Sequence, residues 1–337
     1  MSDLGFAQAL RAVLQGEAAT AAAVAGTTGA AAALVLDALS ATGRLTLVEP
    51  DGTLLDRAVA GIAPARRGAV RAVHGALGDL RTDPAAANAI LAALTPRDAD
   101  SYAAARRAIE AAGASSPLIP PDSLDLLVLD LTVNRAHADE AAAVLTESFR
   151  VLRKGGRLLL TVLLADEPVS CAPPVALGEV TVNAVPLETD LVAALDRAGF
   201  HGMGYVWSGD AIAVPPGAAE ARPFLIAAFK GKQGPCLEQG HAVIYRGPFR
   251  ETWDDDGHRY VRGERTAVCA KTYDLLMTAP YAGLFIGLPS RAAPPIGEAP
   301  PYDCATPRRR DPRVTKGLVK PGDSGAEPAC APGAGCC

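Results

Sequence analysis

Short apolar runs alternate with longer segments of helical periodicity over the first two thirds of the chain. Residues 124–131 and 157–164 are continuous apolar runs of strand length, as is typical of central strands in a parallel sheet. Between them, residues 139–152 have the spacing of a helix that ends at Lys154-Gly155-Gly156. This β-α-β succession predicts an α/β fold with a doubly wound, Rossmann-like sheet.

Two weaker units of strand and helix precede these runs. Helices are predicted over residues 1–17 and 30–39, with a weak strand over residues 22–25. A clearer strand over residues 45–48 ends in Glu49. The chain therefore has at least four segments that fit one sheet.

The next stretch, residues 53–113, is almost entirely helical in pattern and is longer than one crossover connection needs. We therefore expect a helical insert in the sheet domain. Beyond Ala165 the composition shifts towards Pro, Val and Gly, and strands are predicted over residues 221–229 and 242–245. From about Ala292 the chain is rich in Pro, Gly and charged residues, which favours a flexible tail.

These patterns predict three parts. A sheet domain covers residues 1–230, a small α+β domain covers residues 231–291, and a flexible, Cys-containing tail covers residues 292–337. A chain of 337 residues is long enough for a full α/β domain and a smaller unit. Because 49% of the residues are hydrophobic but only 5% are aromatic, we expect a core of Ala, Val and Leu.

The charge and the cysteine content argue against several classes of function. The net charge of -5 and the absence of a basic stripe argue against nucleic acid as a partner. No apolar run reaches the roughly 18 residues that a membrane helix needs, and no signal-peptide pattern is present, so we expect a cytoplasmic protein without membrane contact. Seven cysteines without regular spacing favour free thiols over a disulfide framework.

A glycine-containing turn and an acidic residue stand where a doubly wound sheet binds a nucleoside. The turn Gly26-Thr27-Thr28-Gly29 follows the first predicted strand, and Glu49 ends the second, about twenty residues later. Glycines let the backbone approach the ligand, and the acid accepts hydrogen bonds from ribose hydroxyls. The pattern predicts a nucleoside-binding turn.

Two segments resemble the class I methyltransferases that use S-adenosylmethionine. Residues 149–158 read F-R-V-L-R-K-G-G-R-L, close to their R-V-L-(K/R)-x-G-G stretch, and residues 121–127 read P-D-S-L-D-L-L, similar to their P-D-x-S-x-D-L-V strand entry. Their first loop usually reads acid-x-G-x-G-x-G, whereas residues 22–29 read A-A-V-A-G-T-T-G. The resemblance implies a Rossmann-like fold and S-adenosylmethionine as cofactor.

The same resemblance implies further cofactor contacts. Many relatives pair a Gly-Asp with the adenine, and here that region holds Ser115, with Asp79 as another candidate acid. Asn134 resembles the Asn of the family's V-x-N after its fourth strand. The implied cofactor residues are Gly26, Thr27, Thr28, Gly29, Glu49, Asp79, Ser115 and Asn134.

Two cysteine segments resemble the C-terminal domain of the arsenite methyltransferases. Cys236 opens a segment matching C-x-x-x-G-Q-A-V-I-Y-K-G, with His241 for Gln and Arg246 for Lys. Cys269 lies in a match to V-C-x-x-T-Y. The resemblance implies that both bind trivalent arsenic, a soft and thiophilic ion for which several converging thiolates are suited.

The sequence does not determine which cysteine supplies the third thiolate. The family carries another cysteine before a helix that ends in A-G-F, and residues 180–187 contain none. Cys171 lies upstream and is one substitute. The other candidates are the tail thiols, which we also expect to capture soft ions: Cys330, Cys336 and Cys337.

The resemblance implies methylation of thiolate-bound arsenite or methylarsenite, in which Cys236, Cys269 and Cys171 hold the reacting metalloid. Small cellular thiols or thioredoxin would regenerate the reduced site, and a homo- or hetero-oligomer is compatible with this interpretation. One alternative is a degenerate methyltransferase that binds a soft metal, a metalloid or a partner protein. Another is a methyltransferase for an organic thiol, selenium or an organoarsenical.

Overall fold

The computed structural model describes residues 5–26, 30–137, 140–169, 175–177, 180–213, 219–305 and 309–323. The chain divides into two compact units, Met1–Gly231 and Lys232–Cys337. In the described residues, no helix is both long and apolar enough to span a bilayer.

The first unit is built on one large sheet. Its described strands are β1 (Ala19–Ala25), β2 (Leu39–Glu49), β3 (Val70–His74), β4 (Leu124–Asp130), β5 (Leu152–Ala165), β6 (Val175–Leu177), β7 (Val180–Val182), β8 (His201–Ser208), β9 (Ile212–Ala213) and β10 (Glu220–Phe229). The sheet has the order β3-β2-β1-β4-β5-β10-β8, with β9 beside β10, while β6 and β7 form a separate pair. Along this path, β3, β2, β1, β4 and β5 run parallel to one another. Strand β10 is antiparallel to β5 and to β8. The doubly wound, Rossmann-like sheet predicted from the sequence is confirmed.

Helices and a 3-10 turn at Pro64–Ala69 connect these strands. The helices are α1 (Phe6–Leu14), α2 (Ala30–Asp37), α3 (Gly52–Ala60), α4 (Pro84–Leu94), α5 (Ala99–Ser115), α6 (Thr132–Arg135), α7 (Ala141–Val151) and α8 (Glu188–Arg197). Alternate residues of the central strands enter two different buried clusters: Leu127 and Leu129 of β4 lie in one, Leu126 and Val128 in the other. Because both faces of the sheet are covered, the central strands are continuous apolar runs in the sequence.

The segment predicted as a helical insert, residues 53–113, is only partly helical. It contains β3, which pairs in parallel with β2 at the edge of the sheet. Only Val73 of this strand is buried. An edge strand with one buried side chain has no continuous apolar run, so the helical pattern of its neighbours concealed it.

The second unit is smaller and contains β11 (Ala242–Tyr245), β12 (Glu251–Trp253), β13 (Arg259–Val261), β14 (Arg265–Ala267), β15 (Phe285–Leu288), α9 (Ala270–Leu276) and α10 (Pro312–Thr315). A three-stranded sheet has the order β14-β11-β15, and β12 pairs with β13. All of these pairs are antiparallel. Aromatic and aliphatic side chains form one small core, which includes Val243, Tyr260 and Phe285.

The chain beyond residue 292, predicted as a flexible tail, is folded onto this unit over its described part. Leu237 forms a β-bridge with Pro301. The Arg310 guanidinium is buried and bonds the Glu238 carboxylate at 2.8 and 3.0 Å and the His241 carbonyl at 3.1 Å. Specific polar contacts therefore hold a stretch whose composition alone favours flexibility.

Candidate functional site

Three cysteines of the second unit converge on one point. The Sγ atoms of Cys236, Cys269 and Cys304 all lie within 4.8 Å of one another. All three are free thiols, with Cys269 buried and the other two half-buried. With metal–sulfur bonds of about 2.3 Å, as in zinc–thiolate sites, three sulfurs around one ion lie about 3.8–4.0 Å apart. The cluster therefore needs only small movements to enclose one soft ion.

Backbone pairing brings Cys304 to Cys236 although 68 positions separate them. The Tyr302 amide donates to the Cys236 carbonyl at 2.9 Å, beside the Leu237–Pro301 bridge. The Tyr302 hydroxyl donates to the Ala267 carbonyl, also at 2.9 Å. This second contact anchors the same segment close to Cys269.

Cys269 lies at the start of α9, directly after the turn that follows β14. Its sulfur accepts the Thr272 backbone amide at 3.4 Å and lies 3.1 Å from the Thr272 hydroxyl oxygen. These contacts fix the direction of a side chain that is fully buried. Cys269 is thus the rigid member of the cluster.

The two half-buried thiols share a hydrogen bond and differ in acidity. Burial alone would raise the pKa of Cys236, but the hydrogen bond from Cys304 and the positive charge of Lys271 lower it below its ordinary value. Burial and the same hydrogen bond raise the pKa of Cys304. Cys236 is therefore the more acidic thiol of the two.

A pocket adjoins the cluster and is lined in part by His258, Tyr260, Val268 and Tyr302, together with Cys269 and Cys304. The His258 ring nitrogen Nδ1 lies 2.9 Å from Asp254 Oδ2, which also accepts the Tyr260 hydroxyl at 2.8 Å. The hydrogen bond to Asp254 raises the pKa of His258 above its ordinary value.

A donor set made only of sulfur selects thiophilic ions over hard cations such as Mg²⁺ or Ca²⁺. Among the residues that the structure describes, no other group of three His, Cys, Asp or Glu side chains has this proximity. The described part of the chain thus offers one place suited to a soft metal or metalloid.

In the first unit, the predicted nucleoside-binding turn begins at a position that only glycine fits. Gly26 follows β1 with a φ of +73°, and a Cβ there would lie 2.6 Å from the Asp130 carbonyl oxygen. Any side chain would therefore be strained and would collide with the end of β4. Thr27, Thr28 and Gly29 lie outside the described residues.

Glu49 lies at the predicted place, the end of β2, and is fully buried. Its carboxylate is bonded by the Arg135 guanidinium, from Nη1 to Oε2 at 2.7 Å and from Nη2 to Oε1 at 2.5 Å. The Asp51 amide donates to Oε1 at 2.9 Å. This acid is therefore already satisfied by the protein, which does not fit the ribose contact expected for S-adenosylmethionine.

The other predicted cofactor residues make hydrogen bonds within the first unit. The buried Asn134 amide donates to the carbonyls of Leu163 and Ala184, and its oxygen accepts the Leu163 amide. It therefore ties α6 to β5, and its predicted contact with the cofactor stays a prediction. The Asp79 carboxylate caps a turn by accepting the Arg81 and Thr82 amides.

Ser115, the last residue of α5, donates to the Ala112 carbonyl and is exposed. Neither Ser115 nor Asp79 has a described hydrogen bond to Gly26 or Glu49. The remaining predicted thiols lie outside the described residues: Cys171, Cys330, Cys336 and Cys337.

Two residues of these sites were missed from the sequence. Cys304 lies in the stretch predicted as tail, and only its pairing with the Cys236 segment reveals it. Arg135 directly follows Asn134, yet no local signal indicates that it bonds an acid 86 residues earlier. Contacts between distant parts of the chain bring both residues to their sites.

The chain has similarities to a known domain family and to solved structures. Residues 232–320 match the family model of a domain of unknown function (DUF8838), and no curated protein matches the chain. An arsenic(III) S-adenosylmethionine methyltransferase from Chlamydomonas reinhardtii has a similar structure at 18% identity and a TM-score of 0.49, over 88% of this chain and 99% of that one. A 1,6-didemethyltoxoflavin-N1-methyltransferase from Burkholderia thailandensis is 18% identical with a TM-score of 0.37, over 68% and 80%. The first unit has the Rossmann-like fold of the class I methyltransferases, as its own strand order indicates.

Proposed function

We propose that this protein binds trivalent arsenic through the thiolates of Cys236, Cys269 and Cys304, with all three on arsenite and two of them on methylarsenite. The observation that supports it most directly is the proximity of the three sulfurs, within 4.8 Å of one another. Arsenic(III) is soft, forms strong bonds to sulfur and accommodates three such ligands. Cys236 and Cys269 keep the pairing expected from the sequence resemblance, and Cys304 takes the third position.

Binding exchanges oxygen for sulfur around the arsenic. Each As–O bond of As(OH)₃ that breaks is replaced by an As–S bond, and the departing hydroxyl leaves as water with the proton of the incoming thiol. Three thiols and As(OH)₃ therefore give the arsenic trithiolate and three waters, with no net release of protons. A soft divalent cation such as Cd²⁺ would instead release the protons of the thiols that it binds.

The test is a titration of the reduced full-length protein with arsenite, followed by thiol alkylation and mass spectrometry. We expect one arsenic per chain and protection of all three cysteines. The matched control replaces Cys330, Cys336 and Cys337 by Ser, and its affinity should be unchanged. Arsenite affinity that survives Cys236→Ser or Cys269→Ser unaltered would refute the proposal.

A second candidate function is methylation of the bound arsenic with S-adenosylmethionine. The strand order of the first unit and the positive φ of Gly26 after β1 favour it, whereas the pairing of Glu49 with Arg135 does not. Its assay supplies arsenite, glutathione and S-adenosylmethionine and separates methylated arsenic by chromatography with elemental detection. Binding without methylation assigns the chain to the other class predicted from the sequence, a metalloid-binding protein on a methyltransferase fold.

A further inference from the structure

In a doubly wound sheet, ligands bind outside the carboxyl ends of the strands where the strand order reverses. Here the reversal lies between β1 and β4, which are neighbours in the sheet. Three residues surround this point: Gly26 after β1, Glu49 at the end of β2 and Arg135 in α6, which follows β4. The crevice that would receive a nucleoside is therefore formed by these residues.

The Arg135 side chain crosses this crevice. It starts beyond β4, passes beside Gly26 and ends on the Glu49 carboxylate beyond β1. A Cβ on Gly26 would lie 3.3 Å from Arg135 Nη1, so the guanidinium is in close proximity to the turn itself. The positively charged group lies where a ribose would have to approach.

The carboxylate has little capacity left for another donor. Its oxygens offer about four lone-pair positions. Two accept the Arg135 guanidinium, and one accepts the Asp51 amide. A ribose diol that replaced the guanidinium would also leave a buried charge without its counter-charge, which is strongly unfavourable.

We propose that Arg135 closes the nucleoside end of this crevice, so that the first unit keeps the methyltransferase sheet without binding S-adenosylmethionine at Glu49. The side chain is only 9% exposed and Glu49 is fully buried, which is the burial expected of a structural pair. The inference concerns the first unit alone and does not depend on arsenic binding by the second.

The experiment titrates the full-length protein with S-adenosylhomocysteine and with adenosine by calorimetry at millimolar ligand, and follows amide hydrogen exchange of residues 49–51. For the wild type we expect no nucleoside-dependent protection of these amides. Protection accompanied by binding would overturn the proposal. This arm uses no variant, so it decides the question even if a substituted chain fails to fold.

The second part of the experiment tests whether Arg135 is the group that excludes the nucleoside. Arg135→Ala should gain affinity for S-adenosylhomocysteine or adenosine by at least about tenfold, whereas Arg135→Lys, which keeps the positive charge beside Glu49, should not. Circular dichroism checks that both variants fold, and arsenite binding should be the same in both. A folded Arg135→Ala protein without any gain would overturn the assignment of Arg135 as the excluding group.

Discussion

The two candidate sites differ in how far contacts within the protein already satisfy their reactive side chains. The Glu49 carboxylate of the first unit is paired by a guanidinium from a distant part of the chain, with good geometry at both oxygens. In the second unit, the three thiol sulfurs lie within 4.8 Å of one another, and Cys269 is hydrogen-bonded by Thr272. The first arrangement is complete in the absence of a ligand, whereas the second gathers soft donors that a thiophilic ion would bind more strongly.

This difference shows that a fold and its activity must be argued separately. The Rossmann-like sheet of the first unit is formed, yet the acid expected to contact a ribose has a protein partner here. The chemistry that a soft ion requires lies in a small unit, which in its described part has a three-stranded sheet, a two-stranded hairpin, two α-helices and one 3-10 turn. Function therefore has to be tested at the side chains.

The largest effect is expected from breaking the ion pair of the first unit. Glu49→Gln removes the buried carboxylate that bonds both ends of the Arg135 guanidinium, and the free energy of unfolding should fall by about 3–5 kcal/mol. The double variant Glu49→Leu/Arg135→Met should recover most of this loss. Chemical denaturation followed by circular dichroism measures both.

An exposed pair of the same unit provides the control. Arg106 and Glu110 lie 3.2 Å apart on α5, with side chains 69% and 62% exposed. Because exposed pairs at this spacing are worth about 0.3–0.5 kcal/mol, Glu110→Gln should have almost no effect. If Glu49→Gln costs as little as Glu110→Gln, the buried pair does not have the structural role assigned to it.

The next effect is expected at the third thiol. Cys304→Ser leaves two sulfurs for arsenite, so the affinity should fall by more than about 100-fold, beyond the loss usual for outer contacts of a metal site. The unfolding free energy should change by less than about 1 kcal/mol, since Cys304 is only half-buried. Competition with a dithiol chelator measures the affinity, and an unchanged value would remove Cys304 from the site.

These two sites also show how far the sequence could predict the structure. Continuous apolar runs identified β4 and β5, because strands covered on both faces must be apolar throughout. Local motifs identified Glu49, Cys236 and Cys269. Arg135 and Cys304 could not be found in this way, because the hydrogen bonds that place them join residues 86 and 66 positions apart.

A smaller effect is expected from Lys271, whose charge and hydrogen bond lower the pKa of Cys236. Lys271→Met removes both, so the pKa of Cys236 should rise and its thiolate fraction at neutral pH should fall. We expect alkylation of Cys236 by iodoacetamide to slow by about two- to tenfold at pH 7, and the difference to vanish at high pH. Lys154→Met, in the first unit, is the control, and equal rates in the two variants would contradict the role given to Lys271.

The smallest effect should come from the pocket beside the thiols, where the hydrogen bond to Asp254 raises the pKa of His258. A group whose pKa is higher in the folded than in the unfolded chain stabilises the fold fully below the unfolded value, near 6.5, and loses this contribution as the pH rises through the folded value. The His258 side chain is 22% exposed, so the contribution should be about 1 kcal/mol or less. Denaturation of the wild type and of His258→Gln should therefore differ more at pH 6 than at pH 8. A difference that grows with pH would mean that the imidazole is held neutral, which would contradict the role given to the hydrogen bond with Asp254.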